Sequence, residues 1–325
     1  MCGRYKHRDM DKRKRRILSF DGGGLRGLIT VEVLARISEK LGGEAWLGEA
    51  ELYAGTSTGG LVALALASGK DLARLRELYT KAGPGIFDRR TPRYFFSVHR
   101  LLRAGYANAA LKAELDDLFG TRSFEGLGRN ALIVSFALDP RARHRSWAPK
   151  IFQNYPGPGR DHGPIVDIAL ATSAAPTYLP SWRGYIDGGV CANDPSMCAL
   201  AQVLDRKRIS DEGDGLDDIR LASFGTGERP MALRKEGRRS KALEWGALGW
   251  NLKLLRLLSD GPLGIVDYQC DRVLGKSRYL RVQPELPCDI ELDDAKALPR
   301  MGEIVAAIPD ATIQAWADWI AKDWL

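Results

Sequence analysis

Residues 55–59 read Gly-Thr-Ser-Thr-Gly and fit the pattern G-x-S-x-G where a predicted strand runs into a predicted helix. A serine on so sharp a turn projects its hydroxyl beyond the end of a sheet, because Gly55 and Gly59 carry no side chains to block the reversal. Ser57 is therefore a candidate nucleophile, with a helix-capping turn as the alternative reading of the five residues alone. A serine nucleophile needs a base. The four histidines, His7, His99, His144 and His162, all precede the best-placed acid, Asp187, so the order Ser, Asp, His is not available. Asp187 ends a predicted strand, and Gly188 and Gly189 after it would let another backbone or a substrate come close. A carboxylate bonded directly to the serine can take its proton if burial lifts its pKa from about 4 towards the working pH. Alone, an Asp-Gly-Gly is a turn; it acquires chemical meaning beside Ser57.

The stretch ILSFDGGGLRGL, residues 17–28, supplies a third element. Gly22, Gly24 and Gly27 fit G-x-G-x-x-G after a short apolar run, which is the fingerprint of a dinucleotide loop. The amides of Gly22, Gly23 and Gly24 at a helix start would attract an anion of either kind, a pyrophosphate or the oxyanion of an acyl-transfer intermediate. A dinucleotide fold wants an acidic residue at the end of the second strand, about twenty residues on. Here that place holds GTSTG, and Glu44, Glu49 and Glu51 lie before or at the start of the strand.

The elements that must position these residues follow from periodicity. Ile17–Phe20 reads as a strand and Leu25–Leu41 as a helix with Leu28, Val31, Leu34, Ile37 and Leu41 on one face. A strand near Glu51–Ala54, a helix from Leu61 to Ala67 and another from Asp71 to Ala82 continue a β-α-β-α order, which argues for a mostly parallel sheet with helices on its faces. Further on come a helix at Asn108–Phe119, strands at Ala131–Leu138 and Ile151–Tyr155, a small-residue helix in IVDIALATSAAP and a strand ending at Asp187. Asp194 caps a helix that starts at Pro195, strands follow at Leu221–Phe224 and Tyr279–Gln283, and the C-terminus is helical. Residues 83–106 show no period and mix Tyr94, Phe95 and Phe96 with five arginines, as a surface excursion or the lining of an acyl groove would.

Composition bounds the rest. The chain has 325 residues, 45% hydrophobic and 27% charged, enough for a full core. Residues 1–16 hold eight Lys and Arg against two Asp, so most of the net charge of +7 is a basic tail, 1–15, ahead of one domain spanning 16–325. The basic run 229–241 reads as a solvated loop. No nucleic-acid partner is expected. The five cysteines are scattered and no ligand pair of histidines occurs, so neither a disulfide framework nor a metal site is expected. With no apolar leader and no apolar run long enough to cross a bilayer, the expected location is the cytoplasm.

DGGGLRG, GTSTG and DGG, in this order, resemble the motifs of the patatin-like phospholipases, and ATSAAPTYLP, GGVCANDP, FGTG and GYANAALKAELDDLFG resemble the stretches around them. The resemblance implies a three-layer α/β/α fold with a central, mostly parallel sheet. It implies hydrolysis of phospholipid or other acyl-ester lipids without a cofactor, at a membrane surface that the protein meets peripherally. Carried onto this chain, Ser57 is the nucleophile, Asp187 the base, and Gly22, Gly23 and Gly24 the oxyanion hole with Arg26 beside them. Gly27, Gly55, Gly59, Gly188 and Gly189 support the three turns. Some relatives are switched on by cyclic nucleotides, and such an activator belongs to the same expectation. The other readings are a Rossmann-type nucleotide-binding protein and a non-catalytic lipid-binding protein on the same fold.

Overall fold

A computed structural model describes residues 15–88, 104–138, 146–157, 159–205, 215–229 and 260–325. The basic tail up to residue 14, residues 89–103 of the aromatic and arginine-rich excursion, and residues 230–241 of the basic run lie outside the described residues.

Short buried apolar runs alternate with helices along the chain. Strand β1 (Arg15–Phe20) leads through the glycine loop and a 3₁₀ turn into helix α1 (Gly27–Lys40). Strand β2 (Leu52–Thr56) leads directly into α2 (Thr58–Ala67), whose ten residues are all buried. The helix expected over 71–82 divides: α3 (Leu72–Glu77) loosens into a π turn at Leu78–Ala82 and resumes as α4 (Gly83–Ile86). Next come α5 (Asn108–Phe119), β3 (Asn130–Ala137), β4 (Ala148–Gln153), α6 (Ile165–Thr172), the three-residue β5 (Tyr185–Asp187) and α7 (Ser196–Val203). The chain closes with β6 (Ile219–Phe224), α8 (Leu263–Leu274), β7 (Tyr279–Val282), α9 (Leu298–Ala306) and α10 (Asp310–Trp319).

The seven strands form one sheet in the order β4-β3-β2-β1-β6-β7, with β5 added on β3. Strands β3, β2, β1, β6 and β7 run parallel, whereas β4 and β5 run antiparallel to β3. Alternate residues of β1 face opposite sides: Leu18 and Phe20 pack with α1, α2, α5, α6, α9 and α10, and Ile17 packs with α7 and α8. The expected three layers with a mostly parallel sheet are thus present. Because strand order reverses about β1, whose neighbours are β2 and β6, the glycine loop leaves the sheet at the switch point where open α/β sheets place their ligands.

The last turn of the chain locks the helical layer onto the sheet. Trp324 is fully buried, its ring edge-on to Trp46 at 6.4 Å, and Trp46 in turn lies 6.2 Å from Phe224 of β6. Arg16 Nε donates to the Trp324 carbonyl, and Arg220 Nε donates to Asp323 O at 3.0 Å. Trp324→Ala is therefore expected to lower the free energy of unfolding by about 3–5 kcal/mol, measured by urea denaturation.

Candidate active site

The position of Ser57 follows from the register of β3. Strand β2 pairs with β3 as far as Thr56 opposite Val134, and one residue further along β3, Ser135 pairs with Asp187. Since β4 occupies the other edge of β3 through Ala137, β5 lies on the edge that β2 vacates as it turns away. Ser57 and Asp187, 130 positions apart in the chain, are brought side by side at this junction, where the Ser57 hydroxyl is near enough to the Asp187 carboxylate to favour its charged form.

Ser57 has φ 55° and ψ −125°, a left-handed conformation that costs a non-glycine residue on the order of 1–3 kcal/mol. Its neighbours hold it there. The Ser57 amide donates to Thr172 Oγ1 at 2.8 Å, and the Thr172 hydroxyl donates to the Val134 carbonyl. A Cβ on Gly55 would lie 2.2 Å from Gly59 O, and one on Gly59 would lie 2.1 Å from Phe20 O, so the turn closes only with glycine at both positions.

Asp187 is 5% exposed. Its Oδ1 accepts the Gly189 amide at 2.7 Å, and its own amide donates to Ala174 O at 3.0 Å. Burial raises its pKa to about 6, against the opposing pull of the hydrogen bonds from Ser57 and Gly189. Gly188 packs against the Val134 carbonyl, which lets the turn hug β3.

The glycine loop lies on the other side of Ser57, and a Cβ on Gly22 would stand 3.2 Å from the Ser57 Cβ. One detail departs from the expected donor set. The Gly22 amide donates to the Asn193 carbonyl at 3.0 Å, so it cannot serve an incoming anion. Among the described residues the amides of Gly23 and Gly24 find no acceptor, and Gly24 turns the loop with φ +57°. Leu25 N donates to Leu292 O at 2.8 Å and Arg26 N to Gly23 O at 3.1 Å, which close the loop from beyond. Arg26 is buried and lines the cavity described below, and Gly27 leaves room for the Thr58 and Tyr79 hydroxyls, themselves 2.5 Å apart. The π turn in the chain carries Tyr79 to this position.

A cavity of about 710 Å³ opens on Ser57 and Asp187. Its lining includes the apolar Leu61, Leu78, Ile86, Phe87, Leu111 and Leu179 together with the Gly23–Arg26 loop. Its size is that of a small-molecule site and its apolar wall suits a hydrocarbon chain. Among the described residues no three His, Cys, Asp or Glu side chains cluster as a metal site requires.

Thr172, Thr226 and the pair of Asn193 contacts are supports that the sequence reading did not single out. Thr226 Oγ1 donates to Gly22 O at 3.1 Å, and Asn193 bonds both the carbonyl and the amide of Gly22. Thr172 and Thr226 lie in ATSAAP and FGTG, stretches marked only by resemblance; a threonine in a helix or a turn carries no periodic signal of its own.

The family described as patatin-like phospholipase matches residues 18–200, more than half of the chain, and the protein belongs to that family. Among relatives, the cGAMP-activated phospholipase of Vibrio cholerae is 32% identical over 88% of this chain and 87% of its own length. The cGAMP-activated phospholipase of Pseudomonas aeruginosa is 30% identical over 88% of this chain and 82% of its own. Patatin-like protein 3 of Arabidopsis thaliana is 28% identical over 83% and 73% respectively. The protein is thereby placed in a family of lipid acyl hydrolases rather than among dinucleotide-binding proteins.

The raised pKa of Asp187 has a consequence for stability. A carboxyl whose folded pKa lies above its unfolded one favours folding while protonated, and this contribution is lost as pH rises through the folded value, here about 6. Asp187→Asn removes the cost of ionising a buried acid. Relative to wild type, the variant is expected to gain up to about 3 kcal/mol between pH 4 and pH 8, read from urea midpoints at the two pH values.

Proposed function

We propose that the protein hydrolyses carboxylic ester bonds of phospholipids by a two-residue mechanism, as a phospholipase A or lysophospholipase. The observation that carries this reading is the junction on β3, where Ser57 in a left-handed turn stands beside the buried carboxylate of Asp187 and both line a cavity with apolar residues in its wall. Ser57 Oγ attacks the ester carbonyl and passes its proton to Asp187. The amides of Gly23 and Gly24, backed by the N-terminus of α1, stabilise the tetrahedral oxyanion. Collapse of the intermediate expels the alcohol, which takes the proton from Asp187, and leaves an acyl group on Ser57. Asp187 then deprotonates a water that attacks the acyl-enzyme and restores the serine. No histidine is needed, because a carboxylate with its pKa raised to about 6 is a stronger base than an ordinary one yet remains ionised at neutral pH.

The acyl chain is proposed to lie along Leu61, Leu78 and Ile86. The substrate would come from a membrane surface, and α8 offers a means of contact. Ile265 and Tyr268 are 60% and 61% exposed on one face of that helix, Arg272 stands over the Tyr268 ring at 5.3 Å, and the cavity is lined by Gly261 and Leu263 at the start of the helix. Apolar side chains beside a cation suit the lipid–water boundary. No helix among the described residues is long and apolar enough to cross a membrane. The names of two relatives carry over one more element, a cyclic dinucleotide such as cGAMP as activator.

A fluorophosphonate probe is expected to label Ser57 in the wild type and not in Ser57→Ala. Turnover of an acyl ester, assayed with and without cGAMP, should fall about 10³-fold or more in Ser57→Ala and in Asp187→Asn. The wild-type kcat/KM should rise with pH through a limb at about 6, where Asp187 ionises. Labelling that survives Ser57→Ala would overturn the reading. For the membrane face, Ile265→Glu combined with Tyr268→Glu is expected to reduce cosedimentation with vesicles of anionic phospholipid by about tenfold while turnover of a soluble ester stays unchanged.

A further inference from the structure

Beneath the glycine loop, on the α7 side of the sheet, runs a row of polar residues in a layer that is otherwise apolar. Ser19 of β1, Ser223 of β6 and Arg281 of β7 stand at one register level on three adjacent strands. Two small serines leave room for the guanidinium to reach inward. Arg281 Nη1 donates to Asp21 Oδ1 at 3.0 Å and to Ser223 Oγ at 2.7 Å, Nη2 bonds Asp21 Oδ2, and Nη1 lies 3.5 Å from Asp194 Oδ2. Ser196 completes the row, its hydroxyl 3.0 Å from those of Ser19 and Ser223 and bonded to Asp194 Oδ1. Asp21 and Asp194 are each 1% exposed and the Arg281 side chain is 12% exposed.

The two carboxylates sit at informative places in the chain. Asp21 immediately precedes Gly22, and Asp194 immediately follows Asn193, the residue whose carbonyl takes the Gly22 amide and whose side-chain amide donates to Gly22 O at 3.4 Å. A bidentate guanidinium fixes the direction as well as the distance of its partners, which a lysine ammonium does not. A layer needing stability alone would be served as well by apolar side chains of the same volume. Burial pushes the pKa of Asp21 up to about 7 in spite of Arg281, with the neighbouring Asp194 adding to the rise.

We propose that Arg281 is a positioning residue that clamps the Asp21–Gly24 loop to the Asn193–Asp194 turn and so fixes the Gly23 and Gly24 amides relative to Ser57. The clamp acts on peptide orientation and touches no substrate. It rests on the reading of Ser57 and Asp187 given above for its effect on turnover, and on the geometry alone for its effect on the loop.

The test compares wild type with Arg281→Lys and with the triple variant Asp21→Asn, Asp194→Asn, Arg281→Met, which leaves no buried charge without a partner. Amide hydrogen exchange in the peptide spanning residues 21–27 is expected to quicken about tenfold or more in both variants, with exchange in α2 unchanged. Exchange in 21–27 equal to wild type overturns the clamp. On p-nitrophenyl butyrate, kcat is expected to fall about 10²-fold with KM within about twofold, at a temperature at which both variants are fully folded. A purely structural role predicts that the triple variant, its melting temperature restored, also recovers kcat; recovery overturns the proposal and a persistent deficit supports it. Wild-type turnover that does not depend on Ser57 would sink the catalytic reading, while the exchange result would still decide whether Arg281 holds the loop.

Discussion

One edge of β3 is hydrogen-bonded to two strands in succession, β2 as far as Val134 and β5 from Ser135. Neither strand could continue past that point without displacing the other. The constraint forces β2 to leave the sheet at Thr56, which creates the turn at Ser57, and it delivers the last residue of β5, Asp187, to the same level. Serine and acid therefore meet through backbone pairing rather than through a search by flexible side chains. Strain at Ser57 is held by Thr172 and Val134, so the same β3 carbonyl that marks the junction also steadies it.

Two acids near this junction are both lifted by burial and differ in what surrounds them. Among the described residues no cation offsets the burial of Asp187, which lifts its pKa to about 6, the condition for a base that works near neutrality. Asp21 shares its guanidinium with Asp194 and serves to anchor a loop. A buried acid beside the proposed nucleophile and a buried acid beneath a loop thus have similar titration shifts and different proposed uses, and geometry separates them.

Much of this was legible in the sequence where a local rule had a single solution. Gly55 and Gly59 around Ser57 specify a sharp turn, and the β-α-β-α order specifies a mostly parallel sheet, both of which the fold contains. The strand ending at Asp187 was legible, but its antiparallel direction was not, because that direction is set by its pairing with β3. The commitment of the Gly22 amide to Asn193 was also hidden, since a motif shows which amides a loop has and not which are already bonded. Arg281 lies in a strand that the pattern located at Tyr279–Gln283, but its partners are 260 and 87 positions away, beyond the reach of any local rule.

The bond from the Leu25 amide to the Leu292 carbonyl joins the glycine loop to a segment made long after it. Domains fold during synthesis from the N-terminus onward. Ser57 and Asp187 leave the ribosome well before Leu292 does, so the nascent protein carries both reacting groups while the loop beside them still lacks its outer support. Under the proposed mechanism, a lipid hydrolase would acquire its full power only once the segment carrying Leu292 has followed Asp187 out of the ribosome, a delay written into the order of its residues.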